Sequence, residues 1–239
     1  MSRFSVIQKG RDRMRVGPWH GDDSVAYVVP LPGRGRLDHQ SIDSARLDLT
    51  RQGYTHAVTA ALGPGESQPF LTAGFTPREK LHLLRHDLDD IPDVQGRNQR
   101  RGLLTDLTAV LDIDHAAFQP FWQLDHTGIR EARRATPINR FRIATADRGL
   151  SRRPLGYAIT GRAGHRGYLQ RLAVAPEAHG LGLGASLVVD SLRWLERHRA
   201  TSATVNTQAS NEHAFALYQR LGFSPLPHGL VVLECQLQT

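Results

Sequence analysis

Apolar and polar positions change period several times along this chain, and each change marks an element. Over 14–16 and 25–29 they alternate around the turn residues Gly17-Pro18 and Gly21-Asp22-Asp23, which predicts paired strands followed by a loop over 30–35. Ile42, Ala45 and Leu49 recur at helical spacing before Gly53, a helix stop. The stretch 54–62 then reads as a strand, Gly63-Pro64-Gly65 breaks it, and a short helix at 68–72, Gly74-Phe75 and a strand at 81–84 follow. Mixed charge with Pro92 and Gly96 over 87–101 predicts a linker. Beyond it lie a strand near 103–107, helices at 111–121 and 128–135, and strands at 141–146 and 155–160. Leu169-Gln170-Arg171-Leu172-Ala173-Val174 is an apolar strand that runs through a glycine-rich turn into a helix carried by Leu187, Val188, Leu192 and Leu195. A strand at 203–207, a helix at 212–221 with Asn211 as its N-cap, and a strand at 230–237 complete the pattern. The alternation predicts an α/β (α+β) architecture in two units, 1–95 and 96–239.

The order strand, short helix, Gly-Phe, strand occurs twice, at 55–84 and at 203–237. Asn211 lies eleven residues and Tyr218 four before Gly222; the same offsets from Gly74 give Gly63 and Phe70. The first copy therefore lacks both polar groups and reads as a non-catalytic partial copy.

Composition narrows the classes. With 40% hydrophobic and 22% charged residues over 239 positions, the chain is ordinary for a globular protein. No apolar run nears the roughly 20 residues of a membrane helix, and the first ten residues carry no secretory pattern, so a cytoplasmic location is expected. Cys235 is the single cysteine, which excludes an internal disulfide and a cysteine-built zinc site. The formal charge of +7 comes almost wholly from arginine, Lys9 and Lys80 being the two lysines. Those arginines are dispersed among acids and loops without interleaved aromatics, which argues against nucleic acid as a partner.

The glycine turn is where the chemistry gathers. A strand leading through Gly180-Leu181-Gly182-Leu183-Gly184-Ala185 into a helix is an anion site: the first N–H groups of the helix have no internal partner, and the helix dipole adds positive charge there. Gly180, Gly182 and Ala185 also satisfy a dinucleotide fingerprint, but no acid ends the following strand, where Asn206 stands. Asp112, Asp114 and His115 could be read as metal ligands, yet no fourth ligand is spaced with them, and no metal is expected. Phe118, Phe121 and Trp122 fit a substrate wall and a core stripe equally.

Over about 100–239, and most clearly over 168–223, the chain resembles the GCN5-related N-acetyltransferase (GNAT) superfamily. The loop pattern of that family, Arg or Gln, two residues, Gly, one residue, Gly or Ala, is met by His179, Gly182 and Gly184; its later pattern is met by Asn211, Ala214, Leu217-Tyr218 and Gly222-Phe223. The resemblance implies a GNAT fold, in which two central parallel strands splay around acetyl-CoA, preceded by a smaller GNAT-like half-domain. Leu172, Ala173 and Val174 would line the pantetheine arm and thioester, and Gly180, Leu181, Gly182, Leu183, Gly184 and Ala185 the pyrophosphate. Asn211 would anchor the cosubstrate, and Tyr218 would give a proton to the departing CoA thiolate. The implied reaction is acetyl transfer to a primary amine, of a small molecule or a protein N-terminus, by direct attack in a ternary complex.

Two departures stand out. His179 replaces the usual Arg or Gln, and Asn206 stands where members that acetylate protein N-termini carry a glutamate base. Asparagine accepts no proton, so a water relay, another group among Asp114, His115, Asp125, His126 and Glu131, or an acceptor with a low amine pKa must serve. The pairing of a partial with a complete unit is similar to that of mycothiol synthases, which acylate a small amino-sugar thiol. Residues 118–122 are similar to the substrate loop of ribosomal-protein N-terminal acetyltransferases. The missing base and the partial first unit keep a second expectation open, a non-catalytic acyl-CoA-binding regulatory or interaction protein.

Overall fold

A computed structural model describes residues 4–31, 37–146 and 153–237. The first half holds β1 (Ser5–Lys9), β2 (Asp12–Trp19), β3 (Asp22–Pro30), α1 (His39–Arg51), β4 (His56–Thr59), α2 (Pro64–Thr72), β5 (Thr76–His86) and β6 (Gln99–Arg101). After it come α3 (Leu107–Ala117), α4 (His126–Arg134), β7 (Ile138–Thr145), β8 (Pro154–Ala163) and β9 (Arg166–Val174). The chain continues with α5 (Leu183–Arg197), β10 (Ser202–Gln208), α6 (Glu212–Arg220), β11 (Ser224–Pro225) and β12 (Leu230–Gln236). It divides into two compact units, neither of them continuous: Met1–Leu83 with Asn206–Asn211 and Leu226–Thr239, and Leu84–Val205 with Glu212–Pro225.

In the first unit the strands run in the order β1-β2-β3-β4-β12-β5, with β3 and β4 parallel and the other neighbours antiparallel. The spacing of Ile42, Ala45 and Leu49 does what it predicts: this face of α1 is buried in a core with Met14, Val16, Phe70 and Leu233. Cys235 is buried there as a free thiol. Of the loop expected at 30–35, residues 32–35 lie outside the described residues.

In the second unit the order is β10-β9-β8-β7-β6, with β9 and β10 parallel and the rest antiparallel. Both units thus hold the mixed α/β arrangement the sequence predicts. Leu187, Val188, Leu192 and Leu195 of α5 are buried against β8 and β9, in a core with Tyr157, Ile159 and Ile129. Each such side chain contributes about 1.5–3 kcal/mol by leaving water. One expectation fails locally. The strand read at 103–107 is a 3-10 turn, Leu104–Asp106, followed directly by α3. The Asp106 carboxylate accepts the Leu103 N–H at 2.8 Å and two Arg100 N–H groups at 2.6 and 2.7 Å, and the hydrogen bond from Arg100 holds its pKa below the ordinary value. Those bonds turn the chain, and the apolar pair that suggests a strand, Leu103 and Leu104, stays exposed.

The two copies of the repeat end their helices alike. Gly74 (φ +82°) and Gly222 (φ +88°) both take the left-handed conformation that closes a helix C-terminus. In each, the following phenylalanine donates its N–H, at 3.0 Å, to the carbonyl five residues back: Phe75 to Phe70, and Phe223 to Tyr218. The ring separations are similar, 5.2 Å for Phe70 and Phe75, which meet edge-on, and 5.5 Å for Tyr218 and Phe223, which are tilted.

His86, buried at the end of β5, stacks edge-on against Phe223, and its Nδ1 accepts the Leu88 N–H at 2.8 Å. Burial pushes its pKa below the usual 6.5, with Asp87 and Asp89 pulling the other way. The unfolded chain therefore binds the His86 proton more readily than the folded one. The stability this gives is present above about pH 6.5 and falls away as the pH drops. His86→Asn, which keeps an acceptor for Leu88 but does not titrate, is expected to flatten urea-unfolding stability between pH 5 and 6.5; an unchanged slope would show that His86 does not set it.

Candidate functional site

The second unit builds the site around the end of β9. β9 pairs with β8 along its length, but with β10 only at Ser202↔Arg166, Ala203↔Gly167 and Thr204↔Tyr168. Among the described residues the parallel ladder stops there while β9 runs on to Val174. The β10-side edge of Leu172, Ala173 and Val174 is left open, so its backbone groups are available to a ligand.

After β9 the chain makes a 3-10 turn, Pro176–Ala178, and doubles back. The His179 Nε2–H donates to the Val174 carbonyl at 3.1 Å, which ties the loop to the strand it has just left. Gly180 (φ +75°) and Gly182 (φ +76°) are left-handed, a conformation that any side chain would strain. α5 starts directly after Gly182, whose carbonyl accepts the Ser186 N–H at 3.0 Å. Among the described residues the N–H groups of Leu183, Gly184 and Ala185 have no backbone acceptor and stand at the positive end of a helix 15 residues long. A Cβ built on Gly184 would lie 3.8 Å from Val174 Cγ2 and 3.4 Å from Leu217 Cδ2, ordinary contacts. The end of β9, the first turn of α5 and α6 therefore meet at this glycine, and alanine would fit there too.

Tyr218 follows Leu217 on α6. It is 5% exposed, burial pushes its phenol well above the ordinary value, and among the described residues its hydroxyl has no hydrogen-bond partner. Asn211 stands one residue before α6, its N–H donating to the Gln208 carbonyl at 2.9 Å. The boundary between the units falls between Asn211 and Glu212. Asn206 is an exposed residue of β10 in the first unit's portion of that strand.

The candidate bases fare differently. Asp114, wholly buried on α3, is saturated. It accepts two bonds from Arg171 at 2.8 Å each, the Leu124 N–H at 2.8 Å and the Tyr157 hydroxyl. Burial pushes the Tyr157 pKa well above its ordinary value; the Arg171 charge opposes this and the Asp114 charge adds to it, so the phenol stays a donor. Asp125 caps α4 by accepting the Gly128 N–H at 2.6 Å. His115 uses Nε2 to bond the Leu124 carbonyl at 2.9 Å. His126 is exposed and Glu131 half-buried. Among the described residues no three His, Cys, Asp or Glu side chains are grouped to hold a metal ion, and no helix is long and apolar enough to cross a membrane.

Arg171 is the residue that sequence reasoning passes over. On β9, directly before Leu172, it grips Asp114, donates to the Trp122 carbonyl at 2.7 Å and lies 3.5 Å above the Phe118 ring. The signal is a cation set among Leu169, Leu172, Ala173 and Val174 of β9. Phe118, Phe121 and Trp122 are all half-buried.

The Acetyltransferase (GNAT) family matches residues 107–223. A mycothiol acetyltransferase of Acidothermus cellulolyticus is 31% identical over 172 residues, 63% of this chain and 53% of that protein. The chain's match thus spans about half the length of that relative. A mycothiol acetyltransferase of Tsukamurella paurometabola is 28% identical over 92% of this chain and 80% of its own length. Among solved structures, a tandem GNAT protein from the clavulanic acid biosynthesis pathway superposes with a TM-score of 0.75 at 15% identity, covering 100% of this chain and 85% of that one. At that identity the likeness is one of fold.

Proposed function

Since the chain belongs to the GCN5-related N-acetyltransferase superfamily, we propose that it is an acetyl-CoA-dependent N-acetyltransferase whose acceptor is a primary amine attacking the thioester directly. The observation that carries this reading is the open edge of β9 beside the glycine turn. One end of that edge, at Leu172, Ala173 and Val174, offers backbone groups to a pantetheine arm and to the oxyanion that forms on the thioester carbonyl. The other end continues into the free N–H groups of Leu183, Gly184 and Ala185, which suit a pyrophosphate.

In the reaction the amine nitrogen bonds to the acetyl carbon, the C–S bond breaks, and the electron pair leaves with sulfur. Tyr218 offers its O–H to that sulfur. A buried phenol with its pKa raised above 10 holds its proton more tightly than a thiol with a pKa of about 8.5. Its contribution is therefore a hydrogen bond to developing negative charge, and the final proton of the free thiol comes from solvent or the acceptor. A carboxylate base matters less for an acceptor that keeps a sizeable neutral fraction near neutral pH. Asp114 and Asp125 are committed to holding structure, which fits an amine of the α-amino type, with a pKa near 8, better than a lysine.

The relatives named mycothiol acetyltransferase direct the acceptor search to small thiol-bearing amines. A panel assay of CoA release should include cysteinyl amines, amino-sugar thiols, N-terminal peptides and lysine side chains. The expected result is turnover on a small aminothiol, with kcat/KM rising once with pH, through the acceptor's own pKa. Turnover confined to peptides would move the acceptor to a protein N-terminus. Tight acetyl-CoA binding with no turnover on any member would support the regulatory reading instead.

A further inference from the structure

The segment between β5 and α3 lies along α5. Asp93 pairs with Arg193 at 2.9 Å on the exposed face. Nearer the turn the attachment is buried: the Arg97 N–H donates to Ser186 Oγ at 3.1 Å, and the Gln99 amide donates to the same oxygen at 2.8 Å. Ser186 is 4% exposed and sits in the first turn of α5, its own N–H bonded to Gly182. At Gln99 the segment enters β6 and pairs with β7. These bonds fix where the Arg97 side chain arrives. Its Nε and Nη2 both lie 3.7 Å from the point where a Cβ on Gly182 would stand, against the left-handed residue that opens the helix.

His179 stands at the cationic position of the family's loop pattern, and its Nε2–H donates to the Val174 carbonyl. The loop thus has a guanidinium on its Gly182 side and an imidazole turned back toward β9. Resting on the acetyl-CoA reading, we propose that Arg97 is a binding residue for the pyrophosphate of the cosubstrate and supplies the charge that position 179 lacks. A guanidinium presents parallel N–H donors that match two phosphate oxygens, and the adjacent helix amides take the remaining lone pairs. The side chain meets the loop at Gly182, the residue directly before those amides, which favours the pyrophosphate over the 3′-phosphate.

Calorimetric titration of the full chain with CoA and with 3′-dephospho-CoA tests this without any acceptor. Arg97→Gln is expected to weaken both ligands by about tenfold or more, the loss typical of a charge-assisted hydrogen bond. Arg97→Lys should recover part of that loss for both, and the melting temperature of each variant, measured without ligand, separates a lost ligand contact from a lost fold. Parent-like affinity in Arg97→Gln would overturn the assignment. A loss seen with CoA but absent with 3′-dephospho-CoA would also overturn it, by placing Arg97 on the 3′-phosphate. A parent protein that binds neither ligand would refute the acetyl-CoA reading itself, and this inference with it.

Discussion

Tyr218→Phe is expected to lower kcat by about 10²-fold or more, the range for removing one positioned hydrogen-bond donor to developing negative charge, while leaving the dissociation constant of acetyl-CoA and the melting temperature near the parent's. The first half of the prediction follows from the hydroxyl: among the described residues it has no partner, so its donor is available to the departing sulfur. The second half has a control within the chain. Phe70 occupies the matching place in the first unit, its carbonyl accepting the N–H of the residue five on, with the same left-handed glycine and a similar ring separation. The local fold therefore accepts phenylalanine without the oxygen. Measured with saturating acetyl-CoA and a responsive acceptor, a kcat within a few-fold of the parent would remove Tyr218 from the chemistry.

The second large effect is on stability. Asp114→Asn should cost about 3–5 kcal/mol, because it leaves the Arg171 guanidinium in a mostly buried place without its counter-charge. The pair links α3, β9 and, through Tyr157, β8, and Arg171 also holds the Trp122 carbonyl. Arg171→Met combined with Asp114→Leu should recover much of the loss, since replacing both charges by apolar groups removes the unpaired ion. The Trp122 carbonyl and the Leu124 N–H would still lose their partners, so recovery should be incomplete. Urea unfolding of the two single variants and the double variant checks this. Single-variant losses under 1 kcal/mol, or losses that simply add in the double variant, would mean that the pair is not coupled as described.

Much of this was legible in the order of residues, for reasons that differ by element. α1 and α5 announce themselves because their buried faces are set by spacing alone, and the glycine turn because left-handed backbone selects glycine. The turn at Leu104–Asp106 is hidden in the sequence because two exposed leucines mimic the start of a strand, and what bends the chain is Arg100 reaching Asp106 from six residues away. By sequence Asp114 is a candidate base or metal ligand. Its true neighbours, Leu124, Tyr157 and Arg171, come from ten to 57 residues away, and no local pattern encodes such a meeting. The same holds for residues 87–101. Their proline, glycine and mixed charge read as a linker, yet Ser186, 89 residues on, accepts their donors and fixes Arg97 beside the turn.

The placement of β12 bears on how the protein comes into being. In the first unit this strand lies between β4 and β5, antiparallel to both, and its Val232 and Leu233 are fully buried. Until residues 230–236 have left the ribosome, β4 and β5 have no strand between them, and part of that core faces water. The unit that starts first in translation is thus among the last to close, whereas β7, β8 and β9 of the second unit can pair as soon as they emerge. During that interval β4 and β5 present unsatisfied edges, a hazard for pairing with other chains that ends when β12 is inserted.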